Sequence, residues 1–196
     1  LPFLIGGEHL VTLGAVRAAV RKYPDLHILH FDAHADLRDD YLGQKLSHAC
    51  VLRRCHELTG DNRIFQFGIR SGDRSEFEWG RGHVSTHLFD LDGLEEVLEK
   101  LRGKPVYLTC DLDVLAPSVF PGTGTPEPGG VSFDALRRAL TLACTSLNVV
   151  AADVNELSPH YDMSGAPTAV ACKIVREMLI SFARFSAKEM PAKRLT

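Results

Sequence analysis

FDAHADL, residues 31–37, closes the apolar run LHILHF (26–31) with two aspartates around a histidine at alternate positions: Asp32, His34 and Asp36. A short continuous apolar run bounded by polar residues is the pattern of a strand covered on both faces. Carboxylates and imidazoles resist burial unless they are paired. Taken alone the stretch reads as a solvated acidic loop, and the other strand ends decide whether that reading holds.

Further strand-like runs lie at 2–5 (PFLI), 63–69 (RIFQFGI), 83–89 (HVSTHLF), 105–110 (PVYLTC) and 147–153 (LNVVAAD). Helical periodicity predicts helices over 11–22, 49–58 and 91–101. A further helix is expected from Phe133 to about Cys144 with Ser132 as N-cap, and a last one from Pro167 to about Phe185. Strands alternating with helices imply a parallel sheet covered on both sides, a three-layer α/β/α sandwich with a central, mainly parallel sheet. Such sheets bind ligands beyond the carboxyl ends of their strands. The Pro/Gly-rich stretch 116–130 is too long for a plain connector and reads as a functional loop.

Four of these strands end in histidine or carboxylate. Gly6-Gly7-Glu8-His9 follows the first, Asp32 to Asp36 the second, Asp111-Leu112-Asp113 the fifth and Asn155-Glu156 the last. Carboxylates gathered in one crevice repel one another, and no Lys or Arg lies within these motifs, so a bound cation is the economical compensator. Oxygen donors with a minority of imidazole and no thiolate suit Mn²⁺, and Fe²⁺ or Zn²⁺ less well. His9, Asp32, His34, Asp36, Asp111 and Asp113 exceed the needs of one ion and suffice for two if some carboxylates bridge.

The chain has 196 residues and 21.6 kDa, with 45% hydrophobic and 24% charged residues, which fits a single domain over 1–196. A formal charge of −3 gives no electrostatic reason for a nucleic-acid or membrane partner. Five cysteines without a C-x-x-C pair read as reduced thiols of a cytoplasmic protein. The start at Leu1, already strand-like and without Met, reads as a chain that has lost its N-terminal part, and 186–196, with Lys188, Lys193 and Arg194, as a C-terminal tail.

The motifs GGEH (6–9), DAHAD (32–36), LSHA (46–49), FGIRSG (67–72), DLDVLAP (111–117), PGTGTPEPGG (121–130) and VNELSP (154–159) resemble, in this order, the ureohydrolase family of arginases and agmatinases, the agmatinase branch most closely. The resemblance implies the arginase/deacetylase-like sandwich, two Mn²⁺ ions per chain, and hydrolysis of a guanidino group to urea and an amine by a hydroxide shared between the ions. Agmatine, giving putrescine and urea for polyamine biosynthesis, is the implied substrate. One ion would take His9, Asp32, Asp36 and Asp111, the other Asp32, His34, Asp111 and Asp113. Asp36 would also handle the proton, Glu156 would bind the guanidinium, and His48 would contact substrate and shuttle a proton. A homo-oligomer, trimer or hexamer, is implied as well. Ala116 stands where the family usually has a third aspartate. Other readings are a different guanidino-acid amidinohydrolase or arginase, a single-zinc deacetylase, and a truncated non-catalytic homologue. His27, His30, His56, His83 and His87 read as ordinary strand or helix residues, His160 as a surface-loop residue, and Arg70 and Arg74 as ion-pair partners.

Overall fold

The computed structural model describes residues 1–189. Six strands, β1 (Phe3–Ile5), β2 (His27–Phe31), β3 (Ile64–Ile69), β4 (Ser85–Leu88), β5 (Pro105–Asp111) and β6 (Asn148–Asn155), form one sheet in the order β1-β6-β5-β2-β3-β4. Every pairing is parallel. Among the described residues six helices cover it: α1 (Val11–Lys22), α2 (Val51–Thr59), α3 (Arg74–Gly80), α4 (Leu94–Lys100), α5 (Phe133–Ser146) and α6 (Ala166–Glu189).

Alternation along the strands sorts the core into two apolar layers. Leu29, Phe31, Val106, Leu108 and Cys110 pack with Leu94, Leu136, Leu140 and Ile174 of α4, α5 and α6. Ile28, Ile64 and Tyr107 pack on the other face with Leu13 and Val16 of α1 and Leu52 of α2, with Phe77 and Trp79 of α3 against them. The expected three-layer sandwich is therefore the observed one, with α1–α3 on one face and α4–α6 on the other.

From β2 the chain proceeds outward through β3 and β4, then returns to the other side of β2 for β5 and β6. The topological switch thus lies between β2 and β5, where a crevice opens at the strands' carboxyl ends. The four strands that end in histidine or carboxylate, β1, β6, β5 and β2, are consecutive neighbours.

Three details differ from the sequence reading. Helix α3 was not expected; Asp73 and Glu76 close a capping box at its start. Residues 48–50 form a short 3₁₀ turn before α2. Helix α6 runs past Phe185 to Glu189, while Lys193 and Arg194 of the expected tail, and the side chain of Lys188, lie outside the described residues. Ser132 caps α5 as expected, its hydroxyl accepting from Ala135 N at 3.2 Å. All five cysteines are free; four are buried and Cys172 is exposed. Among the described residues no helix is long and apolar enough to cross a membrane.

Candidate metal centre

Backbone hydrogen bonds hold the DAHAD segment rigidly beyond the end of β2. Asp32 N donates to Phe67 O at 3.1 Å, and Ala33 O accepts from Arg70 N and Ser71 N at 2.8 and 2.9 Å. The FGIRSG stretch therefore acts as a rail for the acidic loop. Asp36 adopts a left-handed backbone, φ 54°, a conformation costing a non-glycine residue roughly 1–2 kcal/mol. The surroundings impose it: Asp36 O accepts from Leu52 N at 3.0 Å and Arg53 N at 3.2 Å, two orphan donors of the first turn of α2.

The same economy fixes the other loops. Asp113 N donates to Asp111 Oδ1 at 2.8 Å, folding DLD into a tight turn, and Ala33 N donates to Asp113 Oδ1 at 3.0 Å. Glu156, also left-handed at φ 66°, accepts from His9 N at 2.6 Å while its own N donates to Gly7 O at 2.8 Å. Gly6 is required in this loop because a Cβ there would lie 2.0 Å from Asn155 Oδ1.

The six expected ligands converge. His9 Nδ1 lies 3.1 Å from Asp32 Oδ2, 3.1 Å from Asp36 Oδ2 and 3.4 Å from Asp111 Oδ2. His34 Nδ1 lies 3.0 Å from Asp113 Oδ2 and 3.5 Å from Asp32 Oδ1. Asp32 thus faces both imidazoles, one with each oxygen. All are buried except His34, which is 25% exposed and marks the open side. His9 Nδ1 and Asp113 Oδ2 are buried atoms without a hydrogen-bond partner.

Burial and the neighbouring charge of Asp32 push Asp36 up to about 7. Burial, with Asp113 and Asp32, raises Asp111 well above the usual carboxylate range, and burial with Asp32 raises Asp113. Burial opposes ionisation of Asp32 as well, but His30, His34 and His9 overcome it and hold that carboxyl well below its usual range. Burial likewise opposes protonation of the imidazoles, yet Asp113 and Asp32 raise His34 to about 11, and Asp32 and Asp36 raise His9 well above its usual value. This frustrated charge cluster fits divalent cations: oxygen-rich donors, two imidazoles, and orphaned donor atoms aimed inward. His30 Nε2 is within reach of Asp32, but Gln66 Nε2 donates to its Nδ1 at 3.1 Å, so Nε2 carries the proton and donates to Asp32 Oδ2 at 2.8 Å.

His30 belongs to a feature the sequence reading missed. Thr86, Gln66, His30, Thr109 and Asp153 are register partners across β4, β3, β2, β5 and β6. This polar row lies one layer below the cluster. Thr86 Oγ1 donates to Gln66 Oε1 at 3.0 Å, Thr109 Oγ1 lies 2.9 Å from His9 Nε2, and Thr12 Oγ1 donates to Asp153 Oδ2 at 2.8 Å. The available signal was a polar residue within or at the end of four apolar runs: His30, Gln66, Thr109 and Asp153.

His48 and Glu156 flank the cluster. His48 is on the open side, 42% exposed, its Nδ1 3.3 Å from Glu8 Oε1 and its ring edge-on to Tyr41. With His34, Asp36, Arg38 and Thr125 it lines a cavity of about 220 Å³. Glu156 is partly buried and raised by that burial, with His9 N opposing the shift. His160 is exposed on a 3₁₀ turn. Arg74 pairs with Glu78 as expected, whereas Arg70 departs from its expected ion pair: its guanidinium meets backbone carbonyls, among them Asp113 O at 2.7 Å and Glu127 O and Pro128 O at 3.1 Å. It thereby ties the 116–130 loop to the DLD turn. Gly130, at φ 93°, lets the loop pass Ala116, whose N donates to Val131 O at 3.0 Å. Loop order here rests on Arg70 and backbone bonds, with no aspartate at 116.

The family model described as the Arginase family matches residues 1–181. The chain is 47% identical over 187 residues to the agmatinase of Bacillus subtilis (strain 168), covering 93% of this chain and 64% of that protein. It is 34% identical over 191 residues to the guanidinobutyrase of Pseudomonas aeruginosa, covering 91% of this chain and 60% of that protein. Among solved structures, agmatine ureohydrolase of Thermoplasma volcanium superposes with a TM-score of 0.86 at 36% identity, covering 97% of this chain and 65% of that one. The chain therefore spans 60–65% of the length of these relatives.

Proposed function

The chain belongs to the arginase family, and from that premise we propose that it hydrolyses a guanidino group to urea and an amine at a centre of two Mn²⁺ ions, with agmatine as substrate. The observation that carries this reading is the convergence of His9, Asp32, His34, Asp36, Asp111 and Asp113 on shared short distances, with His9 Nδ1 and Asp113 Oδ2 buried and without a hydrogen-bond partner. His9, Asp36 and Asp111 would hold one ion, His34 and Asp113 the other, with Asp32 and Asp111 shared between them.

When bound, the ions supply Lewis acidity and lower the pKa of water toward neutrality. The rest falls to the chain. Glu156 offers a carboxylate to the planar guanidinium, the natural partner for a fork of N–H donors. Its Oε1 is oriented by His9 N. Asp36, whose Oδ2 lies 3.1 Å from His9 Nδ1 and which also lines the open cavity, is placed to accept a proton from water and return it to the leaving amine. His48, half exposed beside Tyr41 and Glu8, carries protons between the cavity and solvent.

Agmatine is favoured over guanidino acids by the cavity wall. Its arginine, Arg38, is already engaged by Asp73 at 3.1 Å and Glu76 at 3.4 Å, so no unpaired arginine of this wall awaits a carboxylate tail. The relatives named agmatinase at 44–47% identity support the same choice. Urea release from agmatine, guanidinobutyrate, guanidinopropionate and arginine by the Mn²⁺-saturated chain tests it. Agmatine is expected to give the highest kcat/KM; a higher value for guanidinobutyrate replaces the substrate, and no urea from any of the four refutes the reaction.

A further inference from the structure

A second cluster of metal-binding side chains lies at the opposite edge of the sheet. Asp61, in the turn between α2 and β3, meets His56 Nε2 at 2.7 Å and His83 Nδ1 at 2.5 Å through the same oxygen, Oδ1. His56 belongs to the last turn of α2 and His83 to the turn before β4. The cluster therefore sits by the amino ends of β3 and β4, remote in the topology from the strand ends described above.

Both rings are held in place by one indole. Trp79 stacks on His83 with ring centroids 4.3 Å apart and planes 17° from parallel, and receives the His56 ring edge-on at 4.8 Å. Arg53 lies over the same indole, 3.7 Å from its centroid. Two imidazoles thus point at a single spot, and the indole braces both rings besides the carboxylate that fills it. Asn62 N also donates to His83 O at 2.9 Å, tying the two turns together.

We propose that His56, Asp61 and His83 form a surface site for a borderline-soft divalent transition ion, zinc above all. Two imidazoles and one carboxylate are a set that zinc, copper and nickel accept, whereas Mn²⁺ prefers a richer oxygen shell. The three donor atoms lie within 4.8 Å of one another. Zinc at about 2.0–2.2 Å from each places its ligands roughly 3.4 Å apart. The present contacts are shorter, so the carboxylate must retreat by less than 1 Å or so on that same geometry. Asp61 is free to do this, since its side chain is 56% exposed on a turn. The exposure also leaves room for water to complete the shell. An ion there joins the end of α2 to the turns before β3 and β4, so it stabilises the fold and takes no part in hydrolysis.

The test is equilibrium dialysis of the Mn²⁺-saturated chain against micromolar ZnCl₂, with both metals counted per chain, alongside Asp61→Asn and His83→Gln. The expected result is one zinc per chain beyond any that replaces manganese, with the extra zinc lost in both variants and their manganese content unchanged. The wild-type unfolding midpoint should rise with zinc while those of the variants stay put. Should one variant fail to fold, the other carries the comparison. Zinc uptake that only replaces manganese, or uptake equal in wild type and variants, overturns the site.

Discussion

His30 Nε2 lies 2.8 Å from Asp32 Oδ2, with the Gln66 amide 3.1 Å from the other ring nitrogen. Gln66 thereby sets the tautomer, and the ring holds the carboxylate shared by both histidines of the cluster. Partners that orient ligands in this way typically change metal affinity by about 10–100-fold. His30→Ala should weaken Mn²⁺ binding by that factor in calorimetric titration, with far-UV circular dichroism unchanged. Wild-type affinity in the variant means that Asp32 is held by its other contacts.

Asp113 and Asp32 should separate in their consequences. Asp113 faces only His34, whereas Asp32 faces His34 and His9. Asp113→Ala is expected to lose one of two manganese ions and Asp32→Ala both. Each ion stabilises developing charge by several kcal/mol, so either change should cut urea release by at least about 100-fold. Metal counts that fall equally in both variants rule out Asp32 as the shared ligand.

Arg70 reaches carbonyls on both the DLD turn and the 116–130 loop. A lysine keeps the charge but cannot fork among them. Arg70→Lys should cost at least about 2 kcal/mol in denaturant unfolding, and the loop should become the first site of proteolytic cleavage. Cleavage elsewhere at an unchanged rate shows that the loop is held without it.

Protonation of the cluster gives a pH dependence whose sign follows from the shifts. Asp36 is raised from 3.8 to about 7, and His9 and His34 are raised as well. The ion-free fold therefore binds more protons than the unfolded chain above about pH 4 and loses stability as pH rises toward 7. His30 and His27, both lowered by burial, oppose this. Manganese needs the deprotonated groups, so binding releases protons and tightens with pH. The chelated chain should melt higher at pH 5 than at pH 7.5, and the Mn²⁺-saturated chain the reverse. Parallel trends in both forms contradict this.

Much of this was legible in the sequence because the informative residues end continuous apolar runs. FDAHADL, DLD and NEL each follow a strand whose existence the hydrophobic pattern fixes, so the carboxyl-edge placement follows. The order β1-β6-β5-β2 was not legible, since strand pairing is a long-range choice. His30, His56 and His83 looked ordinary because a strand or helix histidine carries no local sign of its partner; Asp32 and Asp61 supply it only after folding. Arg70 looked like an ion-pair residue because a sequence shows charge and not the carbonyls that a guanidinium meets. Helix α3 had a readable start in Asp73-x-x-Glu76, but its seven residues give too little periodicity to declare it.

Manganese content per chain tests the central claim most directly, because six side chains at the carboxyl ends of three strands, β1, β2 and β5, either make one two-ion centre or do not. The purified chain, stripped with chelator, reloaded with Mn²⁺ and freed of excess, should hold two ions by elemental analysis. Retention of none, or of a single ion unaffected by replacing Asp113, contradicts the two-ion centre.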